Sequence, residues 1–201
     1  MGNVTTTNDY SPALTAGDFS CATTAGRLAH AFTAGDYAHA LTAGDFSCAT
    51  TAGHCASAAT AGFNAHAPTT GDDAPATTTG NFSHALTAGD DARATTAGSY
   101  SHALTAGDYA HATTTGRLAH ALTAGARAKT SATGENAIAV AVGANSRARA
   151  ADGGFIVLAQ YSPDGDTVVA VKTAQVGRDG IKPDTWYKLN PTGEFVEVEA
   201  A

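Results

Sequence analysis

Charge is scarce in this chain: 14% of its 201 residues are Asp, Glu, Lys or Arg, against about a quarter in ordinary soluble domains. Aromatic residues make up 7%, with a single Trp and a single Met. Ala, Thr and Gly dominate instead, which excludes a conventional core of large aliphatic side chains over most of the length. The net charge of −7 divides into seven basic and ten acidic residues over 1–151, and four basic and eight acidic over 152–201. Neither part offers the clustered Lys and Arg that neutralise phosphates, so no nucleic-acid partner is expected. Three cysteines, Cys21, Cys48 and Cys55, are an odd number, and a reducing, intracellular setting is the expectation. No window approaches the roughly 20 apolar residues of a membrane span, so no membrane partner is expected either. No charged start leads into an apolar run, so export by a signal peptide is not expected. A Gly-x-Ser-x-Gly elbow, a phosphate loop, a dinucleotide fingerprint and a His-Glu-x-x-His pair are all missing. Ser, His and Asp recur together only because a repeat copies them, and the chain reads as a non-enzyme without a cofactor.

What the chain has is a period. Gly stands at every ninth position from Gly17 to Gly143 without a gap, which makes fifteen repeats. Counting from each Gly, the third residue is Ala or Ser, the fifth is Ala except at Thr130, and the seventh is Thr from Thr24 through Thr123. A short fixed period is the signature of a solenoid, in which each repeat buries its surface against its neighbours. Small residues at offsets three, five and seven share one side of an extended segment, which predicts strands. A helix would need apolar spacings of three and four, and a regular Gly would weaken it at every turn.

Alternate repeats differ in kind, so a second period of 18 predicts two strands per coil. Offset six reads Phe32, Thr50, Pro68, Leu86, Leu104 and Leu122 in one set of repeats, and Thr23, Leu41, Ala59, Thr77, Thr95 and Thr113 in the other. The predicted fold is all-β: a parallel β-solenoid over 1–151, closed by a small antiparallel β-rich unit over 152–201. At about 4.8 Å per rung, roughly eight coils would make a rod on the order of 38 Å long.

A flattened coil has little room, so the small residues at offsets three, five and seven are placed inside and offsets two, four and six outside. The opposite parity would bury Leu and His and expose Ala. Inward Thr hydroxyls are expected to hydrogen-bond along the stack. One outer face then carries Leu28, Phe46, Asn64, Phe82, Tyr100 and Leu118 in one column and His30, Cys48, His66, His84, His102 and His120 in the next. The apolar offset-six column completes it. Monomers rarely expose so large an apolar patch. The candidate interface is therefore Leu28, His30, Phe32, Phe82, His84, Leu86, Tyr100, His102, Leu104, Leu118, His120 and Leu122, covered by another copy of the chain or by a partner. Protonation of an interfacial His row below about pH 6 would loosen the assembly.

The opposite face is more polar. Its turns carry Asp18, Asp36, Asp72, Asp90 and Asp108 after Gly, interrupted by His54. Asp there is expected to accept local backbone hydrogen bonds. The layout is similar to the nine-residue repeats of secreted calcium-binding toxins, but one Gly and at most two carboxylates per turn fall short of six to eight oxygen ligands. His30, Cys48, His66 and His84 are the alternative metal site, zinc being the fitting ion. A straight ladder on a flat sheet does not converge tetrahedrally, so a metal-free row is the expectation.

Ser131 to Gly143 turn aliphatic, as a capping coil would. Beyond Gly153, strands are predicted at Phe155 to Tyr161, Thr167 to Val176, Trp186 to Leu189 and Phe195 to Glu199. Ser162-Pro163-Asp164-Gly165-Asp166 and Asn190-Pro191-Thr192-Gly193 read as hairpin turns, and Gly177 to Gly180 as a loop. A small sheet packed on the last coils, with Trp186 as its anchor, is expected.

The segment Ile181-Lys182-Pro183-Asp184-Thr185-Trp186-Tyr187-Lys188-Leu189, with Gly193-Glu194-Phe195-Val196-Glu197-Val198 after it, resembles an uncharacterised tail. Such tails follow Gly- and Thr-rich nonapeptide repeats in bacteriophage and bacterial proteins. The resemblance covers nearly the whole chain and implies a phage or prophage origin, in the host cytoplasm or on a virion. It transfers no catalytic or binding residue. Leu104-Thr105-Ala106-Gly107 is similar to the step of bacterial ice-nucleation proteins, and Gly134 to Ala148 to trimeric adhesin heads. The expected function is a non-enzymatic binding or structural solenoid that forms homo-oligomers. Its alternatives are an intracellular inhibitor that sequesters a host protein or small signalling molecule, and an ice-binding or metal-binding solenoid.

Overall fold

The computed structural model describes residues 2–178 and 180–199, so Asp179 of the expected Gly177 to Gly180 loop lies outside the described residues. Two sheets face each other. One stacks β1 (Asn3–Thr6), β3 (Cys21–Ala25), β5 (His39–Ala43), β7 (Ser57–Ala61), β9 (Pro75–Thr78), β11 (Arg93–Thr96), β13 (His111–Thr114), β15 (Lys129–Ala132) and β17 (Arg147–Ala150). The other stacks β2 (Pro12–Ala16), β4 (His30–Ala34), β6 (Cys48–Ala52), β8 (His66–Thr70), β10 (His84–Ala88), β12 (His102–Ala106), β14 (His120–Thr123), β16 (Ile138–Ala141) and β18 (Phe155–Tyr161). Neighbours within each stack are parallel and one full coil apart in sequence, as in His84 opposite His102. The step from β16 to β18 is one residue shorter, with Ile138 opposite Phe155. Nine parallel strands per sheet make a solenoid of about nine coils, without a helix among the described residues. The first coil, β1 and β2, precedes Gly17.

Offsets three, five and seven are the ones that point inward. Ala at offset five is sealed from solvent from Ala22 to Ala121, and Thr at offset seven is buried from Thr24 to Thr123. A core of Ala, Ser and Thr lets the sheets approach closely, but each residue contributes little apolar area. Backbone hydrogen bonds carry correspondingly more. The ladder continues into the corners: Gly35 N–H donates to the Ala52 carbonyl, and Tyr37 N–H to that of His54, both at 2.9 Å.

Gly turns the corner for a steric reason. At Gly107, φ is +147°, and a Cβ there would overlap the carbonyl oxygen of Gly89 one coil below. The second residue after Gly then enters the left-handed region in every repeat, from Phe19 to Asn145, as does Tyr10 after Asn8 in the first turn, with φ between 51° and 60°. This corrects the expected geometry of offset two, which is a turn position and not part of the strand. Left-handed backbone costs a residue with a Cβ roughly 1–2 kcal/mol. The ladder holds it in place, as where Phe82 N–H donates to the Ser99 carbonyl at 3.0 Å. In the last turn Gly153 takes the position, at φ 75°.

The inward Thr row also departs from expectation. Ten hydroxyls, Thr24 and Thr96 among them, are buried without a hydrogen-bond partner. Successive rungs hold equivalent atoms about 4.8 Å apart, beyond hydrogen-bond reach, so a column of identical hydroxyls cannot pair along the stack. Pairing occurs across the coil where the pattern varies, between Thr123 and Thr130 at 2.8 Å and from Ser47 to Thr42 at 3.0 Å.

The C-terminal strands extend both sheets. β18 continues the parallel stack and turns back through Ser162–Asp166 into β19 (Val168–Gln175), antiparallel to it. β20 (Trp186–Leu189) pairs antiparallel with β17, and β21 (Phe195–Val198) with β20. The cap is made here and not by Ser131 to Gly143, which form ordinary coils. Ile156, Leu158, Val176, Ile181 and Tyr187 are the buried large hydrophobic residues of this end. Trp186 is only half-buried and lies under the Arg149 guanidinium, 4.9 Å from its ring centroid.

Candidate interaction face and its flanking turns

The outer surface of the β2–β18 sheet is two straight columns on a flat ladder. Offset four carries His30, Cys48, His66, His84, His102 and His120, and offset six carries Phe32, Thr50, Pro68, Leu86, Leu104 and Leu122. In-register parallel pairing puts identical side chains above one another, so the columns follow directly from the length of one coil. Phe32 and Leu86 are exposed at 46% and 38%, while Leu104 and Leu122 are half-buried by their column neighbours.

The imidazoles stack. His66 and His84 have ring centroids 4.9 Å apart and planes 6° from parallel, and His102 and His120 follow at 5.1 Å and 36°. Nitrogen lone pairs lie in the ring planes, so stacked rings aim them side by side and not toward a common centre. The His30, Cys48, His66 and His84 set consequently does not converge on an ion. Partial burial holds His84 below the usual imidazole range, and His66 and His102 push it the same way; His102 is lowered by burial and then by His120. Neutral rings are what the stack favours.

Leu28, Phe82, Tyr100 and Leu118 are displaced from the flat face to its rim, because offset two is the left-handed turn residue. There they join a second stack. Phe82 lies on Tyr100 with centroids 5.0 Å apart and planes 5° from parallel, and Phe63 continues the row to Phe46. Face and rim together bring the sequence-predicted interface residues onto one side of the rod and its edge. The Thr array an ice surface would require is inside.

On the opposite sheet the Asp row does something other than local turn capping. Asp90 Oδ1 accepts the N–H of Asp108, one coil on, at 2.8 Å, and Asp18, Asp36, Asp72 and Asp108 do the same for the next coil. One oxygen of each carboxylate is committed to a backbone donor, and a single Asp per turn falls short of the six to eight oxygens calcium takes.

Sequence reasoning missed a basic column on this sheet: Arg93, His111, Lys129 and Arg147 stand in register on β11, β13, β15 and β17. The signal was cationic side chains recurring once per coil. His111, Lys129 and Arg147 of this column line a shallow groove together with Asp91, Tyr109, Arg127 and Asn145, while Arg93 lies outside the lining. Burial lowers the His111 imidazole, and Lys129, Arg93 and Arg147 lower it further; Lys129 is lowered by burial and by Arg147 and Arg93. The Asp91 carboxylate in the same lining acts the other way and raises the His111 imidazole.

No family model, curated protein or solved structure matches the chain.

Proposed function

We propose that the chain is a non-enzymatic binding or structural solenoid that self-associates through the outer face of its β2–β18 sheet. The observation that carries this reading is the uninterrupted run of Leu86, Leu104 and Leu122 beside the stacked imidazoles of His84, His102 and His120. Apolar and neutral aromatic groups on a flat, rigid surface lose contact with water most completely against a surface of the same shape, and a second copy supplies one. A phage or prophage origin, in the host cytoplasm or on a virion, rests on the likeness of the tail.

The groove lined by His111, Arg127, Lys129 and Arg147, with Asp91 the one acid in its lining, supports a second reading, in which the solenoid sequesters a host factor or an anionic small signalling molecule. The two readings use opposite sheets.

Light scattering after gel filtration separates them, applied to wild type and to a Tyr100→Asp, Leu104→Asp variant at neutral pH and near pH 5. Asp is native at the equivalent turn position in Asp73 and Asp91, so the turn accepts Tyr100→Asp, and circular dichroism verifies that the double variant, whose Leu104→Asp lies on the outer side of β12, keeps the fold. A discrete wild-type oligomer that the variant dissociates is expected. A monomeric wild type would overturn self-association and leave the face to a foreign partner.

A further inference from the structure

Two rows of the β1–β17 side break at the same coil. In the offset-one row Asp18, Asp36, Asp72, Asp90 and Asp108 are interrupted by His54; in the offset-two row, aromatic at Phe19, Tyr37 and Tyr109, the run Cys55, Asp73 and Asp91 begins at that same coil. The break costs the fold something. Asp at this turn caps the backbone N–H one coil on, and an imidazole at 54 has no carboxylate to offer Asp72. The coil thereby gives up a charge-assisted hydrogen bond that its neighbours keep.

The substituted side chains converge. One nitrogen of His54, the sulfur of Cys55 and a carboxylate oxygen of Asp73 all lie within 4.8 Å of one another. Cys55 Sγ is 3.4 Å from His54 Nε2. A tetrahedral zinc site with bonds of about 2.0–2.3 Å has edges of roughly 3.3–3.8 Å, so that pair already spans one edge. The scaffold is rigid where it matters. The His54 N–H is held by Asp36 at 2.9 Å, its ring packs edge-on against Tyr37 at 6.1 Å, and the Cys55 and Asp73 N–H groups bond to the next coil at 2.9 Å.

We propose that His54, Cys55 and Asp73 form a binding site for a divalent transition metal of the zinc class. An N, S, O donor set suits a borderline-soft ion and not calcium or magnesium. Three protein ligands leave a fourth position facing solvent, as His54 and Asp73 are exposed and Cys55 half-buried. Binding converts the Cys55 thiol to thiolate and releases its proton to water. The site lies at a turn of the opposite sheet from the self-association face, so it stands independently of that reading.

Cobalt(II) is the probe, titrated into the reduced full-length protein and followed by the thiolate-to-cobalt charge-transfer band, with zinc as competitor. One cobalt per chain is expected, displaced by one zinc. Cys55→Asn should abolish the band, and His54→Asn or Asp73→Asn should weaken affinity at least tenfold, while Cys21→Ser and Cys48→Ser leave it unchanged. The turn accepts Asn elsewhere, at Asn64 and Asn81, so the coil survives these changes and circular dichroism verifies it. A band that persists in Cys55→Asn, or that disappears in Cys48→Ser, would overturn the assignment, as would its absence in the wild type.

Discussion

His84 and His102 lie ring on ring, with centroids 4.9 Å apart and planes 4° from parallel. Two imidazolium ions in that position would repel, and both groups are already partly desolvated, so the folded chain holds them below the ordinary imidazole value. A group with a depressed folded pKa binds fewer protons folded than unfolded. The stability it contributes is full above the unfolded value near 6.5 and declines as pH falls through that value toward the folded one. Urea midpoints should therefore be level above about pH 7.5 and drop between about pH 6.5 and 5. Replacing His84 and His102 with Ser should flatten this slope without removing it, because His111 is depressed as well. A slope unchanged by the double replacement would show that the stack does not govern it.

The turn glycines separate two steric effects. Gly17 has positive φ, yet a Cβ there would meet nothing within 4 Å, whereas at Gly107 it would overlap the Gly89 carbonyl. Gly107→Ala should destabilise by about 1–3 kcal/mol more than Gly17→Ala, as overpacking does. Equal midpoints in chemical denaturation would mean that the coils breathe enough to admit a methyl group.

Thr96 and Thr105 bury hydroxyls without partners, while Thr123 donates or accepts across the core to Thr130 at 2.8 Å. Thr→Val preserves shape and removes the polar atom. Thr96→Val should stabilise by about 1 kcal/mol, and Thr123→Val should destabilise by a similar amount, because it orphans Thr130 Oγ1 in part. Opposite signs in a pair of denaturant titrations are the readout.

Asp90→Ala deletes the 2.8 Å cap on the Asp108 N–H. A loss of about 1 kcal/mol is expected, and it should be the same with calcium or with a chelator present. A calcium-dependent difference would restore the ion-binding reading of the Asp row.

The period, the coil length and the inward offsets were legible because one steric demand is repeated from coil to coil up to β17: Ala, Ser and Thr fill the space between the sheets. The turn was not. Phe82 and Tyr100 are large side chains at a left-handed position, where Gly or Asn is the usual occupant, and pattern alternation read them as strand. What holds them is a stack and a hydrogen-bond ladder supplied by the next coil, which no local rule contains. The Asp row was misread for the same reason, since the N–H that each carboxylate caps belongs to the following coil. His54 and Cys55 did leave a signal, two rows broken together, which becomes informative only once the rows are known to be adjacent. The imidazole column was visible as spacing, but parallel ring planes, and hence the lack of a common focus, are a property of three dimensions.

The uniformity of the coils also bears on how the chain finds its register. From Gly35 to Gly125 successive rungs offer the next a closely similar ladder and the same ridge of Ala and Thr. A nascent chain that looped out one whole coil would dock on a nearly identical template, and solenoid growth can nucleate at many points. Only unique segments can proofread such slippage. The shortened step from Ile138 to Phe155 and the reversed strands β19 to β21 fit at a single rung. Alignment is thus decided on the C-terminal side of the array, after the coils themselves have been made, and a truncation before Phe155 would leave an array that folds but has lost its reference mark.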